Sequence, residues 1–333
     1  MNIIRCDREL ETPCIDRTLR AWGHALTLLT EGIDEDELCA AITDCDLLLM
    51  CYTPISSRVI ASAERLRGIV KYGVGIDAID IRAAHARGIA VVNVPTYAEE
   101  TVAEGAMAML LALAKKLPAL QQAMRRDGWA WPTARWLASD IAGKTVGVVG
   151  CGKIGATMAR IAGAGFRARV VGYDPGKSPA ELRSLGVEPY DDLRTMLAVC
   201  DFVSLHVALS ESTRHLIGVA ELAAMKPSAI LVNTARGALV DELALLQALQ
   251  QGRIAGAGLD VFSREPLDQA SHPLRELYRL DNVILSPHLA FYTTEAMERL
   301  ESETLERCRE IIEGRPVTIR STDPRLQRGP GPV

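Results

Sequence analysis

Short apolar runs alternate with helix-like stretches along this chain, and the series occurs twice. Runs at 3–5, 26–29, 46–52, 68–72 and 89–92 make the first series, with segments such as 34–42 and 81–87 between them. The rhythm restarts at Thr145 and continues through 168–174, 201–207, 229–234, 255–260 and 283–286. Such alternation builds a parallel sheet covered by helices on both faces. The expected class is α/β, with two doubly wound parallel-sheet domains.

A chain of 333 residues, 48% apolar and 24% charged, has room for two such domains. Its longest uncharged apolar stretch, 105–114, is about half of the roughly 20 residues needed to span a bilayer. The chain enters a strand-like run at residue 2 with no apolar signal region, so a cytoplasmic protein is expected. The net charge of −5 and the lack of a basic run argue against a nucleic-acid partner. Cysteines 6, 14, 39, 45, 51, 151, 200 and 308 form no Cys-x-x-Cys pair, so reduced structural thiols are expected, and no metal site. The partner is expected to be a small molecule.

The segment Gly150-Cys151-Gly152-Lys153-Ile154-Gly155 follows the apolar run at 145–149 directly, and Asp174 closes the next run. Strand, glycines, helix, strand and acid in that order form a dinucleotide clamp. The first glycine makes the turn, the second admits a pyrophosphate and the third permits helix–sheet packing. The pyrophosphate would rest on the N-terminus of helix 153–165, where free N–H groups and the helix dipole favour an anion. Asp174 would accept the ribose hydroxyls and repel a 2′-phosphate, so NAD is expected rather than NADP.

Ligands of a parallel sheet bind beyond the carboxyl ends of its strands. In the second series those ends carry Gly150, Asp174, His206, residues 234–236, residues 260–265 and His288. Arg236 offers a planar fork for a carboxylate, the alternative being a surface arginine paired with Glu242 or Asp241. His288 has the side chain suited to proton exchange near neutrality, and Glu265 could hold its ring. A buried core histidine and a loop carboxylate remain the other reading of that pair.

Between the two series, residues 101–116 form a helix apolar on nearly every side, expected to be buried all round. Trp129, Trp131 and Trp136 follow in an arm read as a subunit interface. Residues 294–314 form one long helix, with Thr294 as N-cap and Gly314-Arg315-Pro316 as its stop, returning to the first domain. The expected layout is 1–98 plus 290–320 as one domain, 99–289 as the other, and 321–333 as a flexible tail.

The clamp, the block 232–242 with Arg236, Gly258-Leu259-Asp260-Val261-Phe262 with Glu265-Pro266-Leu267, and Ser286-Pro287-His288 together resemble the D-isomer-specific 2-hydroxyacid dehydrogenases. Residues 71–77 and 101–104 match that family's substrate loop and interdomain helix. The resemblance implies a flavodoxin-like substrate domain with a Rossmann NAD-binding domain inserted in it. It makes Arg236 the residue that fixes the substrate carboxylate and polarises the keto group, His288 the acid/base and Glu265 its orienting partner. It places Thr101 at the cofactor phosphates and Asp260 at the nicotinamide amide. Lys153, Ile154, His206, Val207, Thr234 and Ala235 join the cofactor side. The backbone N–H groups of Val74 and Gly75 would take the carboxylate, with Lys71, Tyr72 and Phe291 also on the substrate side.

The family's members are commonly homodimers joined through their NAD-binding domains. Two positions depart from the pattern, Phe291-Tyr292 after His-Leu-Ala and Ala208 after His206-Val207. The aromatic pair is similar to the C-terminal binding protein and phosphoglycerate dehydrogenase-like branch. The implied activity is interconversion of a 2-oxo acid and a D-2-hydroxy acid with NAD, the reduction slowing as pH rises. The competing reading is an NAD(H)-sensing, corepressor-like binding protein, and Lys71 leaves a phosphorus oxyacid open as substrate.

Overall fold

The computed structural model describes residues 1–327. It comprises two compact units, one of Met1–Ala98 with the chain from Thr293 onward, the other of Glu99–Tyr292. Each contains one sheet, and every strand pairing in both is parallel.

In the first unit the strands are β1 (Asn2–Arg5), β2 (Ala25–Leu28), β3 (Leu47–Met50), β4 (Gly68–Lys71) and β5 (Ala90–Asn93). Their order is β2-β1-β3-β4-β5. Strands β3 and β4 are buried at every position, as a parallel sheet covered on both faces requires. Asp34, Ser56 and Asp80 cap the helices Glu35–Ile42, Ser57–Ser62 and Ile81–Ala86, each accepting a backbone N–H of the first turn. Such caps are worth about 1 kcal/mol each. Helix Thr294–Ile312 lies against β4, where a side chain at Gly68 would collide with Ile311 at 2.6 Å.

Three expectations change here. The cap of that long helix is Thr293, not Thr294: its extended backbone lets Oγ1 accept the Ala296 N–H at 3.2 Å. The second unit runs on to Tyr292 rather than to residue 289, and Phe291 stands edge-to-face to His288 within it. Within the expected tail, Pro324–Gln327 is helical and buries Leu326 in the unit's core. One well-placed leucine supplies the apolar content that the tail's composition lacked. Residues 328–333, the rest of the expected flexible tail, lie outside the described residues.

The second unit contains β6 (Thr145–Val149), β7 (Arg169–Tyr173), β8 (Glu188–Pro189), β9 (Phe202–Leu205), β10 (Ile230–Asn233), β11 (Gly256–Leu259) and β12 (Val283–Leu285). The order β12-β11-β10-β9-β6-β7-β8 reverses chain direction between β6 and β9. Helix Glu99–Ala114 packs on β10 and β11, the absent side chain of Gly258 leaving room for Met109. It is not buried on all sides. Ala103, Ala106, Met107, Leu110 and Leu113 are buried, whereas Glu104 and Ala108 are exposed, because the sheet covers only one broad face. Beyond helix Leu117–Asp127, Trp129 and Trp131 meet edge-to-face at 6.2 Å and both are exposed.

Candidate active site

Strand register brings the clamp together. Val149 is level with Tyr173 on β7 and with Leu205 on β9, so Gly150, Asp174 and His206 leave the sheet side by side at its switch point. Gly150 turns with φ +85°, and a side chain there would meet the His206 backbone at 2.8 Å. A side chain at Gly155 would lie 2.0 Å from the Gly150 carbonyl oxygen, which is what seats helix Lys153–Arg160 against the turn. Gly152, between them, faces open space and provides no side-chain cap. The first-turn N–H groups of that helix have no intrahelical acceptor by position. They point where an anion is favoured.

Asp174 anchors this turn. Its Oδ2 accepts the Cys151 N–H at 2.8 Å and its Oδ1 the Gly176 N–H at 2.9 Å. The carboxylate is thus fixed at the β7 end, where a dinucleotide's ribose hydroxyls are read and its charge disfavours a 2′-phosphate. His206 Nε2 is 2.9 Å from Ser204 Oγ, and burial pushes its pKa down to about 4, so the ring is neutral near pH 7. Val207 sits against the Gly150 turn. Thr101 is buried in the first turns of helix Glu99–Ala114, which packs on helix Lys153–Arg160. Thr234, past the end of β10, has a buried hydroxyl without a hydrogen-bond partner. An open glycine cradle, an uncapped helix N-terminus and an orphaned hydroxyl on one sheet edge fit a dinucleotide.

Three further loops from the same edge carry Arg236, Glu265 and His288. The side chain of Asn233 accepts the Ala235 N–H at 3.0 Å and donates to the Arg236 carbonyl at 2.9 Å, closing the turn that carries Arg236. Gly237 touches the next loop: a Cβ there would lie 2.0 Å from the Phe262 backbone. That contact sets the Arg236 turn beside the loop bearing Glu265. Glu242 accepts the Ser263 N–H and Asp241 caps helix Glu242–Gln250, so both carboxylates have backbone partners.

Glu265 Oε1 accepts the Phe262 N–H at 2.9 Å, and Oε2 lies 2.9 Å from His288 Nδ1. Burial would raise the Glu265 carboxyl, but the hydrogen bond and charge of His288, the Phe262 N–H and the Arg236 charge hold it below the usual range. An ionised carboxylate on Nδ1 places the neutral ring's proton there. Nε2 is then the ring nitrogen left without that proton. His288 itself sits at φ +59°, its N–H donating to the Asp260 carbonyl at 2.8 Å. The Asp260 carboxylate accepts the Leu289 and Ala290 N–H groups at 2.9 and 3.0 Å. Asp260 therefore fixes the turn after His288, a role its sequence position alone did not suggest. The Phe291 ring stands edge-on to the His288 ring at 6.3 Å.

Four expected substrate-side residues belong to the first unit. Val74 is exposed and Gly75 half-buried on the loop after β4. Lys71 is buried at the carboxyl end of β4, its ammonium donating to the Cys51 carbonyl and lying 5.6 Å from the centre of the Tyr52 ring. Tyr72 is a correction. It is wholly buried, its hydroxyl donating to the Cys6 carbonyl and accepting from Arg5, so it serves the core rather than a ligand. Among the described residues no cluster of His, Cys, Asp or Glu could hold a metal ion, and no helix is long and apolar enough to cross a membrane.

Fold and clamp define a Rossmann unit that binds NAD(H), with a glutamate–histidine contact and an arginine at its strand ends. Residues 107–290 match the family model described as D-isomer specific 2-hydroxyacid dehydrogenase, NAD binding domain. A glyoxylate reductase of Korarchaeum cryptofilum is 43% identical over 268 residues, 80% of this chain and 79% of that protein. A D-3-phosphoglycerate dehydrogenase of Mycobacterium bovis is 41% identical over 301 residues, 89% of this chain. The chain spans only 55% of that relative's length. The structure of D-lactate dehydrogenase from Aquifex aeolicus, complexed with NAD and lactic acid, superposes with a TM-score of 0.83 at 29% identity, covering 94% of this chain and 96% of that one. This chain belongs to the D-isomer specific 2-hydroxyacid dehydrogenase family.

Proposed function

We propose that the protein interconverts a small 2-oxo acid and its D-2-hydroxy acid, with His288 as acid/base. The observation that carries this reading is the 2.9 Å contact of Glu265 with His288 Nδ1, on the sheet edge that also bears Arg236. Bound NAD(H) supplies or accepts the hydride. The Arg236 guanidinium takes the substrate carboxylate and polarises the keto oxygen. His288 Nε2 delivers the proton to that oxygen in reduction and removes it in oxidation. Glu265 orients the ring through Nδ1. Since reduction of a 2-oxo acid consumes a proton, it slows as pH rises.

Thr101, Lys153, Ile154, Val207, Thr234 and Ala235 serve the cofactor. Asp260, besides fixing the His288 turn, has acceptor capacity left for the nicotinamide amide. The N–H groups of Val74 and Gly75 supply further carboxylate donors, Lys71 a second positive charge, and Phe291 narrows the space beside His288. Glyoxylate and hydroxypyruvate lead the substrate panel because they name relatives' activities. NADH oxidation is measured on these with pyruvate, phenylpyruvate and branched 2-oxo acids. His288→Ala is expected to lower kcat about 10²–10⁴-fold on the best substrate. Near-normal turnover in that variant defeats the assignment, and a wild-type protein silent on the whole panel favours the NAD(H)-sensing alternative.

The proposed assembly is a homodimer through the NAD-binding units. Leu117, Met124, Trp129, Trp131 and Leu137 are all exposed along that unit's arm, and Trp129 meets Trp131, an exposure of large apolar side chains that supports an interface there. Sedimentation of the wild type is expected to give a dimer and Trp131→Glu a weakened one. A monomeric wild type removes the proposal.

A further inference from the structure

We propose that the loop after β3 is an anion-binding site whose resident occupant is the Asp7 carboxylate, and that this occupancy holds the Lys71 ammonium in place. The first sheet reverses chain direction between β1 and β3. The crevice beyond the carboxyl ends at such a point is where a doubly wound sheet takes its ligand. Here it is filled from within. Asp7 lies just past β1, is 1% exposed, and has the left-handed φ of 58° that non-glycine residues rarely adopt. Its Oδ2 accepts the N–H groups of Cys51 at 2.6 Å and Tyr52 at 2.9 Å. Its Oδ1 accepts the Thr53 N–H at 3.1 Å and the Thr53 hydroxyl at 2.6 Å.

Three successive N–H groups converging on one anion make a concavity of the kind that binds phosphate or carboxylate. The nearby Arg5 guanidinium does not neutralise Asp7, for it pairs with Asp16 and donates to the Asp7 backbone carbonyl. Backbone dipoles and one hydroxyl therefore carry the charge. The same loop grips Lys71. The Cys51 carbonyl accepts from the ammonium, Cys51 Sγ lies 3.3 Å from it, and the Tyr52 ring lies 5.6 Å away. Asp7 thus acts on Lys71 through Cys51 and Tyr52. It is a positioning residue, and a glycine in its place leaves a site sized for a small monocarboxylate.

The test uses full-length Asp7→Gly, since glycine accepts the positive φ without strain. Melting temperature, 2-oxo acid reduction and NADH binding are followed with sodium formate or with chloride at equal ionic strength. Formate is expected to raise the variant's melting temperature saturably and by clearly more than that of the wild type, which shares only the carboxylate site proposed around Arg236. The kinetic readout rests on the function proposed above: KM for the 2-oxo acid rises about tenfold while kcat stays within about twofold, and formate restores KM. NADH affinity stays at the wild-type value. Asp7→Asn, which turns an amide NH2 toward the N–H groups, shifts KM the same way without rescue. Formate without effect on Asp7→Gly, or a wild-type KM in that variant, overturns the proposal. Should Asp7→Gly not fold, Thr53→Val removes one donor and decides the matter, a raised KM at retained kcat supporting the site and an unchanged KM refuting it. A wild type inactive on every 2-oxo acid would remove the catalytic reading, while the formate-dependent melting still judges the anion site.

Discussion

At the switch point of the second sheet, Gly152 faces open space and the helix that follows has no side-chain cap. At the switch point of the first, the Asp7 carboxylate takes three N–H groups and a hydroxyl. Both crevices arise from the same cause, a reversal of strand order in a parallel sheet. They differ in what the chain puts there. Where glycines line the turn, backbone donors are left for a ligand; where an aspartate enters, the donors are consumed within the protein. Topology makes the crevice, and one side chain determines whether it accepts a guest.

Unseating the helix beside the open crevice is the strongest way to break this contrast. Gly155→Ala drives a methyl to 2.0 Å from the Gly150 carbonyl oxygen. A loss of about 3 kcal/mol is expected, because the atom it strikes is backbone. Urea denaturation measures it, and a variant as stable as wild type shows that the clamp has slack. Gly152→Ala meets no protein atom. Its stability should fall by no more than about 1 kcal/mol, while NADH affinity drops about tenfold as the methyl obstructs the pyrophosphate. Wild-type affinity by fluorescence titration would place the pyrophosphate elsewhere.

The smallest effect is a proton at the edge of the open crevice. Burial lowers His206 from an ordinary 6.5 to about 4, so between those values the unfolded chain binds a proton that the native state does not. This contribution to stability is full above about pH 6.5 and is lost as pH falls toward about 4. His206 is half-buried as a residue, which limits the expected effect to the order of 1 kcal/mol. His206→Gln should flatten that part of the urea-midpoint profile. Equal slopes in variant and wild type would mean that His206 is not the group responsible.

Much of the fold was legible because apolar periodicity reports burial directly, and the buried strands of both sheets fall on the apolar runs. The candidate site was legible to the extent that its residues end strands. Arg236, Glu265 and His288 stand on neighbouring loops of one edge, as strand-end reasoning expects. Tyr72 also follows a strand, yet its phenol turns into the core toward Cys6. Asn233 left a local signal, an asparagine opening the turn that carries Arg236. Asp7 left none, since its partners lie 44 to 46 residues away and nothing local marks them.

By itself the sequence determined that this chain builds two parallel sheets and places a glycine clamp, an acid and a histidine at strand ends. Those properties follow from local spacing, side-chain size and the chemistry of single residues. Only the tertiary structure decided that Asp260 holds the His288 turn, that Gly237 lets two loops touch, and that one crevice is open while the other is filled. Those depend on backbone atoms from distant segments meeting within hydrogen-bonding distance. A pattern of residue types carries no record of such distances.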